Sequence, residues 1–353
     1  GEEKTKPTQH SVKELMAIGI HPDIIIGRCS QPICEAARAK IAMFCDVDES
    51  AVISTPDARS IYEVPLNLER QGVADLIIDR MKLMPMTGKR DMTKWESFLS
   101  NILSPVREVT IAVVGKYTSL ADSYLSHIEA LTHAGSERKC KVNVRFIDSD
   151  SLLSEGPASL LSDVHGVLIP GGFGNRGIEG KIEATRYARE NKIPFLGVCL
   201  GFQIATIEIA RHVLGLKDAN STEFDKDTQD PVICLMHEQE GVDDMGATMR
   251  LGAQNVILDK DSKAYGLYGS ERISERHRHR YEVNNGYVDQ LESAGWRFVG
   301  RSENGDTMEV GQLEGHPFFM ASQFHPEFKS RPMRPSPLHL GLVDAAIEYK
   351  GSE

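Results

Sequence analysis

The chain has 353 residues, 41% hydrophobic and 26% charged, enough for two compact domains and outside the composition of a disordered polymer. Its formal net charge of -11 excludes a general attraction to nucleic acid or to an anionic membrane, leaving local basic patches for small anions. Its six cysteines form no C-x-x-C pair, no apolar run reaches about 18 residues, and "GEEKTKPTQH" lacks a secretory layout, so free thiols and a cytoplasmic location are expected.

Over residues 1–84, "VKELMAIG" and "EAARAKIAMFC" carry a helical period, while "PDIIIG" and "AVIST" read as strands, making a small α/β piece. It opens on a charged segment instead of a strand or capped helix, which suggests a cut inside a larger domain. Residues 85–108 combine Pro, Gly and mixed charge with a short amphipathic helix around Trp95, Phe98, Leu99 and Ile102, and read as a linker packed on its surroundings.

From 109 to 350 strands and helices alternate regularly. "VTIAVVG" is a buried strand, and Ala121, Tyr124, Leu125, Ile128 and Leu131 follow at helical spacing. "KVNVRFI" and "HGVLIPGG" are two further strands, "IEGKIEATRYAREN" a helix and "IPFLGVC" a fourth strand. Repeated β-α units with continuous apolar strands predict an α/β fold with a mostly parallel sheet and helices on both faces. Ligands of such sheets bind beyond the carboxyl ends of the strands, where "PGGFG" and "GVCLG" face one crevice. "SRPMRPSP" reads as an irregular tail.

Cys199 sits where a strand turns into a helix, between Gly197 and Gly201. That setting can project a nucleophile above the sheet, with the helix N-terminus favouring a thiolate; read by itself, the cysteine can equally be a small buried hydrophobe. A nucleophile needs a base and a group that orients the base. "SQFHPEF" offers His325 and Glu327 at the end of the strand-like run "HPFFMA", where side chains two residues apart point to one side.

Together "GVCLGFQ" and "FHPEF" resemble the class-I (triad) glutamine amidotransferases. The resemblance implies Cys199 as nucleophile, His325 as general base and Glu327 as its orienting carboxylate, with glutamine hydrolysed to glutamate and ammonia through a thioester. "PGGFG" is similar to the oxyanion strand of that family, which implies the N–H groups of Gly172 and Leu200 as the oxyanion hole. Gly172, Leu200, Gly201, Phe202 and Gln203 are then glutamine contacts.

Further stretches resemble the CTP synthase family. "STEFD" implies Glu223 for the α-amino group of glutamine, and "RHRHRYEVNN" implies Arg280 for its carboxylate, although read alone the basic run is a solvated face. "MGATMRLG" (245–252) is also similar, without chemistry that its residues spell out. "GGFGNRGIEG" resembles the lid of a glutaminase activated by GTP, with Phe173 and Arg280 near that nucleotide.

"KTKPTQHSV" resembles a segment that meets UTP and the feedback inhibitor CTP, implying Lys4, Thr5, Lys6, Pro7, Thr8 and Gln9; read alone it is a common surface loop. Lys40 is implied for UTP and the main chain of Ala58 for ATP. The resemblance makes residues 1–84 the C-terminal part of a P-loop-type synthase domain and 109–350 a glutaminase domain. It implies a homotetrameric parent enzyme that uses ATP and Mg2+ and aminates UTP.

The sequence has no G-x-x-x-x-G-K-[ST], and "TGKR" lacks the first glycine and the hydroxyl residue, so ligase chemistry is not complete in it and no bound cofactor or metal is expected. Two alternatives stand beside this reading: a free-standing cysteine hydrolase of γ-glutamyl compounds, and a non-catalytic regulatory or filament-forming module.

Overall fold

The computed structural model describes residues 4–84, 90–116, 121–235 and 249–352. Positions 87–89 of "TGKR" and 245–248 of "MGATMRLG" lie outside the described residues. Two compact units divide the chain, Gly1–Leu103 and Ser104–Glu353.

In the first unit β1 (Ile25–Cys29) pairs in parallel with β2 (Val52–Pro56). Helices Lys6–Ala17 and Glu35–Cys45 close over this pair through Val12, Ile41, Ala42 and Cys45. Pro7 suits the first turn of its helix, where a missing N–H costs nothing. A second apolar group joins Tyr62 and Leu66 to Phe98 and Leu99 of helix Thr93–Leu103. Trp95 is anchored there as well, its indole N–H donating to the Tyr62 carbonyl at 2.8 Å.

The second unit is built on β3 (Arg107–Gly115), β4 (Cys140–Asp148), β5 (Gly166–Ile169), β6 (Phe195–Val198), β7 (Ala219–Ser221), β8 (Asp230–Leu235), β9 (Arg250–Leu258), β10 (Arg272–His279), β11 (Tyr281–Val283), β12 (Trp296–Ser302), β13 (Met308–Leu313) and β14 (Phe319–Ser322). Nine of these form one sheet in the order β10-β9-β12-β13-β14-β6-β5-β3-β4, and β11-β8-β7 form a smaller one. From β4 to β14 the large sheet is parallel, which agrees with the run of apolar strands. Beyond β14 it continues antiparallel through β13, β12, β9 and β10.

Helices cover both faces of the parallel half, so β5 and β6 are buried along their whole length. Alternate residues of β3 serve opposite cores. Ala112 and Val114 join Ile178, Ile182 and Leu200, whereas Ile111 and Val113 join Leu131, Leu338 and Leu342. Phe195 and Phe319 stack at 4.3 Å across β6 and β14. Each such burial contributes about 1.5–3 kcal/mol, and this one holds together the two strands that lead into the site.

Two local expectations are corrected. The basic run in "RHRHRYE" is a half-buried edge strand: His277 and His279 point inward, Arg276 and Arg278 outward. "SRPMRPSP" is irregular, as read, but is not a tail, since it leads into the last helix. Arg331 and Arg334 bridge to each other in a tight turn, and Ser330 and Ser336 are buried in it at the start of the last helix, Pro337–Ser352.

Candidate active site

At the carboxyl end of β6 the chain turns through Cys199, with φ 54° and ψ -99°, into helix Leu200–His212. A positive φ in a residue with a Cβ costs about 1–3 kcal/mol and persists only where its surroundings enforce it. Here the Cys199 N–H donates to the Ser322 carbonyl at 2.7 Å, while its own carbonyl accepts from the N–H groups of Phe202 and Gln203 at 3.1 and 3.3 Å. The flanking glycines have a steric reason. A Cβ on Gly197 would stand 2.5 Å from the Gly201 carbonyl oxygen, and one on Gly201 2.2 Å from that of Ile169.

His325 and Glu327 do not lie on β14 as strand neighbours. They follow it, His325 capping the short turn Pro326–Lys329, and this turn brings His325 Nδ1 to 2.8 Å from Glu327 Oε1. The His325 N–H donates to the Arg276 carbonyl at 2.8 Å, and its ring stacks on Phe328. With Nδ1 facing Glu327, the rest of the ring lies beside Cys199: a Cβ on Gly171 would meet both His325 Cε1 and Cys199 Cβ.

Burial alone would push the imidazole toward its neutral form. The hydrogen bonds to Cys199 and Glu327, with the charges of both, outweigh that and raise His325 to about 10. Glu327 shows the converse balance: burial would raise it, but His127 and then His325 hold it down at about 2. The buried carboxylate therefore favours a protonated imidazole at His325.

Gly171 stands where Cys199 and His325 meet. A Cβ there would lie 2.7 Å from His325 Cε1 and 3.5 Å from Cys199 Cβ, and one on Gly172 would lie 3.2 Å from Leu200 Cδ2. The end of β5 thus borders the helix N-terminus, where the leading N–H groups have no intrahelical partner. Glu223 Oε1 accepts from the Gly174 N–H at 3.1 Å, drawing "STEFD" against the same lip. Glu223 and Arg280 both act on Tyr281, and Arg280 sits in the break between β10 and β11. Phe173 is exposed on the rim, with the ammonium of Lys116 5.4 Å from its ring centre.

Gln203 and Phe202 lie in the first turn after Cys199, both buried. The Gln203 amide is committed to protein partners, donating to the Tyr281 carbonyl at 3.0 Å and to Gln323 Oε1 at 3.4 Å. In the first unit Lys4 and Lys6 are exposed at a helix start, whereas Thr5 is buried and accepts from the Gln9 amide at 3.0 Å. Pro7 and Thr8 occupy the first turn, Lys40 is exposed on the second helix, and Ala58 is exposed just past β2.

Sequence reasoning missed three residues of the site. Gln323 places Nε2 3.9 Å from Cys199 Sγ, and its position two residues before His325 was the available signal. Lys116, the residue directly after the apolar strand β3, hydrogen-bonds the Phe173 carbonyl. His127 lies 3.5 Å from Glu327 Oε1 and carries no motif.

The meaning of "MRLG" also emerges here. Arg250 donates to Glu309 Oε1 at 2.6 Å and Glu282 Oε1 at 3.0 Å, beside the buried pair His277 and His279. Among the described residues, His277, His279 and Glu309 are the one group close enough to share a metal ion, and one oxygen of its carboxylate, Oε1, is taken by Arg250. That donor set does not fit Mg2+, which favours an octahedral shell of oxygen ligands.

A cysteine held at a strained elbow, a histidine beside it and a buried carboxylate behind, on the parallel half of an α/β sheet, define a triad amidotransferase. The family model described as "Glutamine amidotransferase class-I" matches residues 119–345, and that described as "CTP synthase N-terminus" matches residues 1–83. The chain is 52% identical over 353 residues to the CTP synthase of Archaeoglobus fulgidus, covering 100% of this chain and 65% of that protein. It is 51% identical over 350 residues to the CTP synthase of Syntrophus aciditrophicus, covering 99% of this chain and 65% of the relative. The glutaminase domain of Trypanosoma brucei CTPS, solved with bound acivicin, superposes with a TM-score of 0.64 at 39% identity, covering 68% of this chain and 94% of that structure.

The chain belongs to the CTP synthase family of class-I glutamine amidotransferases, and spans 65% of the length of these two curated relatives. No helix among the described residues is long and apolar enough to cross a membrane.

Proposed function

We propose that this chain carries the glutamine-hydrolysing half of a cytoplasmic enzyme that aminates UTP to CTP at the expense of ATP. One observation carries the reading: Cys199 at its strained elbow and His325, held by Glu327 at 2.8 Å, meet on either side of Gly171. In this mechanism the Cys199 thiolate attacks the carboxamide carbon of glutamine. The N–H groups of Gly172 and Leu200 hold the oxyanion, and loss of one such donor typically lowers the rate about 10²- to 10³-fold.

As the C–N bond breaks, the His325 imidazolium gives its proton to the departing nitrogen, which leaves as ammonia. The neutral imidazole then takes a proton from water, hydroxide adds to the thioester, and the C–S bond breaks to release glutamate and restore the thiolate–imidazolium pair. Glu327 keeps Nδ1 protonated throughout. Glu223 and Arg280 are the proposed partners of the substrate's α-amino and carboxylate groups, with Gly201, Phe202 and Gln203 shaping the wall beside them.

Lys4 to Gln9 and Lys40 are the proposed contacts to UTP or the inhibitor CTP, the Ala58 main chain lies toward ATP, and GTP acts near Phe173 and Arg280. The parent enzyme is a homotetramer. No step here is routed through Mg2+. A free-standing γ-glutamyl hydrolase would have no use for residues 1–83, which match the CTP synthase N-terminus.

The test is covalent. An electrophilic glutamine analogue is expected to label Cys199 alone, and Cys199→Ala to abolish ammonia release. Hydrolysis by the alanine variant at the parent rate would refute the assignment.

A further inference from the structure

We propose that His127 is a positioning residue for the carboxylate behind His325: through a buried chain ending at Ser336 it fixes Glu327 and draws part of its charge away from the imidazole. This rests on the triad reading of Cys199, His325 and Glu327 given above.

The chain runs across two helices that are distant in sequence. From the last helix His339 presents Nε2 at 3.1 Å from Nδ1 of His127, on helix Leu125–Glu137, and its own Nδ1 lies 2.8 Å from Ser336 Oγ. His127 Nε2 in turn lies 3.5 Å from Glu327 Oε1. All four side chains are buried, and the second oxygen of Glu327 has no hydrogen-bond partner in the structure.

Donor and acceptor chemistry allows one direction along this chain. An ionised carboxylate only accepts, so His127 must carry its proton on Nε2. A neutral His127 then accepts at Nδ1, which makes His339 Nε2 a donor and His339 Nδ1 an acceptor, filled by the Ser336 hydroxyl. Burial disfavours the charged form of both rings, in keeping with neutral imidazoles. Ser336 is itself held, its N–H donating to Ser330 Oγ at 3.1 Å, and that oxygen also meets His133 Nδ1 at 2.9 Å. Every N–H and O–H between Ser336 and the triad therefore points toward Glu327.

The other titratable groups facing this chain are Tyr268 and Glu275, both of which feel the Glu327 charge, and His133, which acts on His339. None of these stands between His127 and Glu327 as an alternative donor. The carboxylate thus serves two imidazoles, and the one on its far side weakens its hold on the catalytic one.

The experiment is an NMR titration of the His325 ring, assigned with a His325 variant, in the 353-residue chain and three substitutions. His127→Leu is expected to move the His325 midpoint up by about one pH unit, as the carboxylate loses its 3.5 Å contact with His127 and is left to His325 alone. His339→Leu keeps His127 but removes its donor, and is expected to move it about half as far; it decides the matter where His127→Leu does not fold. His127→Gln keeps an N–H and is expected to stay close to the parent.

Loss of packing alone lowers the unfolding temperature without moving the midpoint. A folded His127→Leu or His339→Leu chain whose His325 titrates at the parent pH overturns the proposal. Ammonia release is measured on the same samples: a parent chain without glutaminase activity whose His325 still responds removes the functional reading and leaves this one standing.

Discussion

Gly201→Ala isolates what the glycine behind the nucleophile contributes. The added methyl would start 2.2 Å from the Ile169 carbonyl oxygen, whereas ordinary contact begins near 3.4 Å, and the clashing atom is backbone in a fully buried strand. Neither partner can rotate away, so the N-terminus of helix Leu200–His212 must retreat from β5 by about 1 Å. That retreat carries Cys199 with it, away from His325 and from the lip at Gly171 and Gly172. Overpacking of this kind costs about 1–3 kcal/mol of stability, and a misplacement of about 1 Å costs on the order of 10²-fold in rate. Steady-state glutaminase kinetics and thermal unfolding measure the two effects separately. Gly215→Ala is the control: its φ of 80° strains any side chain, but nothing lies within 4 Å of its Cβ, so it should lose stability and keep its turnover. Wild-type kcat in Gly201→Ala would refute the steric account of the elbow.

Three further outcomes are expected. Arg250→Met leaves Glu282 and Glu309 buried without their shared cation and should cost about 3–5 kcal/mol in denaturant unfolding. Burial, reinforced for Glu282 by the Glu309 charge, raises Glu275 to about 7 and Glu282 to about 8. Acids raised on folding give stability that is complete below their unfolded value near 4.3 and lost as pH rises through the folded value. The unfolding midpoint should therefore decline between about pH 5 and 8, and Glu282→Gln should flatten that decline. Phe195→Ala removes one ring of the stack with Phe319 and should cost about 3–5 kcal/mol, read by calorimetry.

The parallel half of the sheet was legible because β3, β5 and β6 are nearly continuous apolar runs, each leading toward a helix of clear period. The antiparallel half was not. "RISERHRH" in β10 is almost wholly polar yet buries alternate residues, and "MEVGQL" in β13 is buried almost throughout despite its Glu and Gln, so neither reads as a strand from its own composition. In the site, the cysteine elbow and the H-x-E spacing are local signals, so Cys199, His325 and Glu327 could be named from the sequence. The contact of His127 with His339 spans 212 residues, and neither belongs to a motif, so no window along the chain reveals it. Arg250 was opaque for the same reason, its partners lying 32 and 59 positions away.

The register Phe319↔Phe195 to Ser322↔Val198 means that Cys199 and His325 follow neighbouring strands made far apart in time. During synthesis the thiol emerges more than a hundred codons before its imidazole. A nascent chain therefore carries the cysteine without its neighbouring imidazole until β14 slots in beside β6, when the domain is nearly finished.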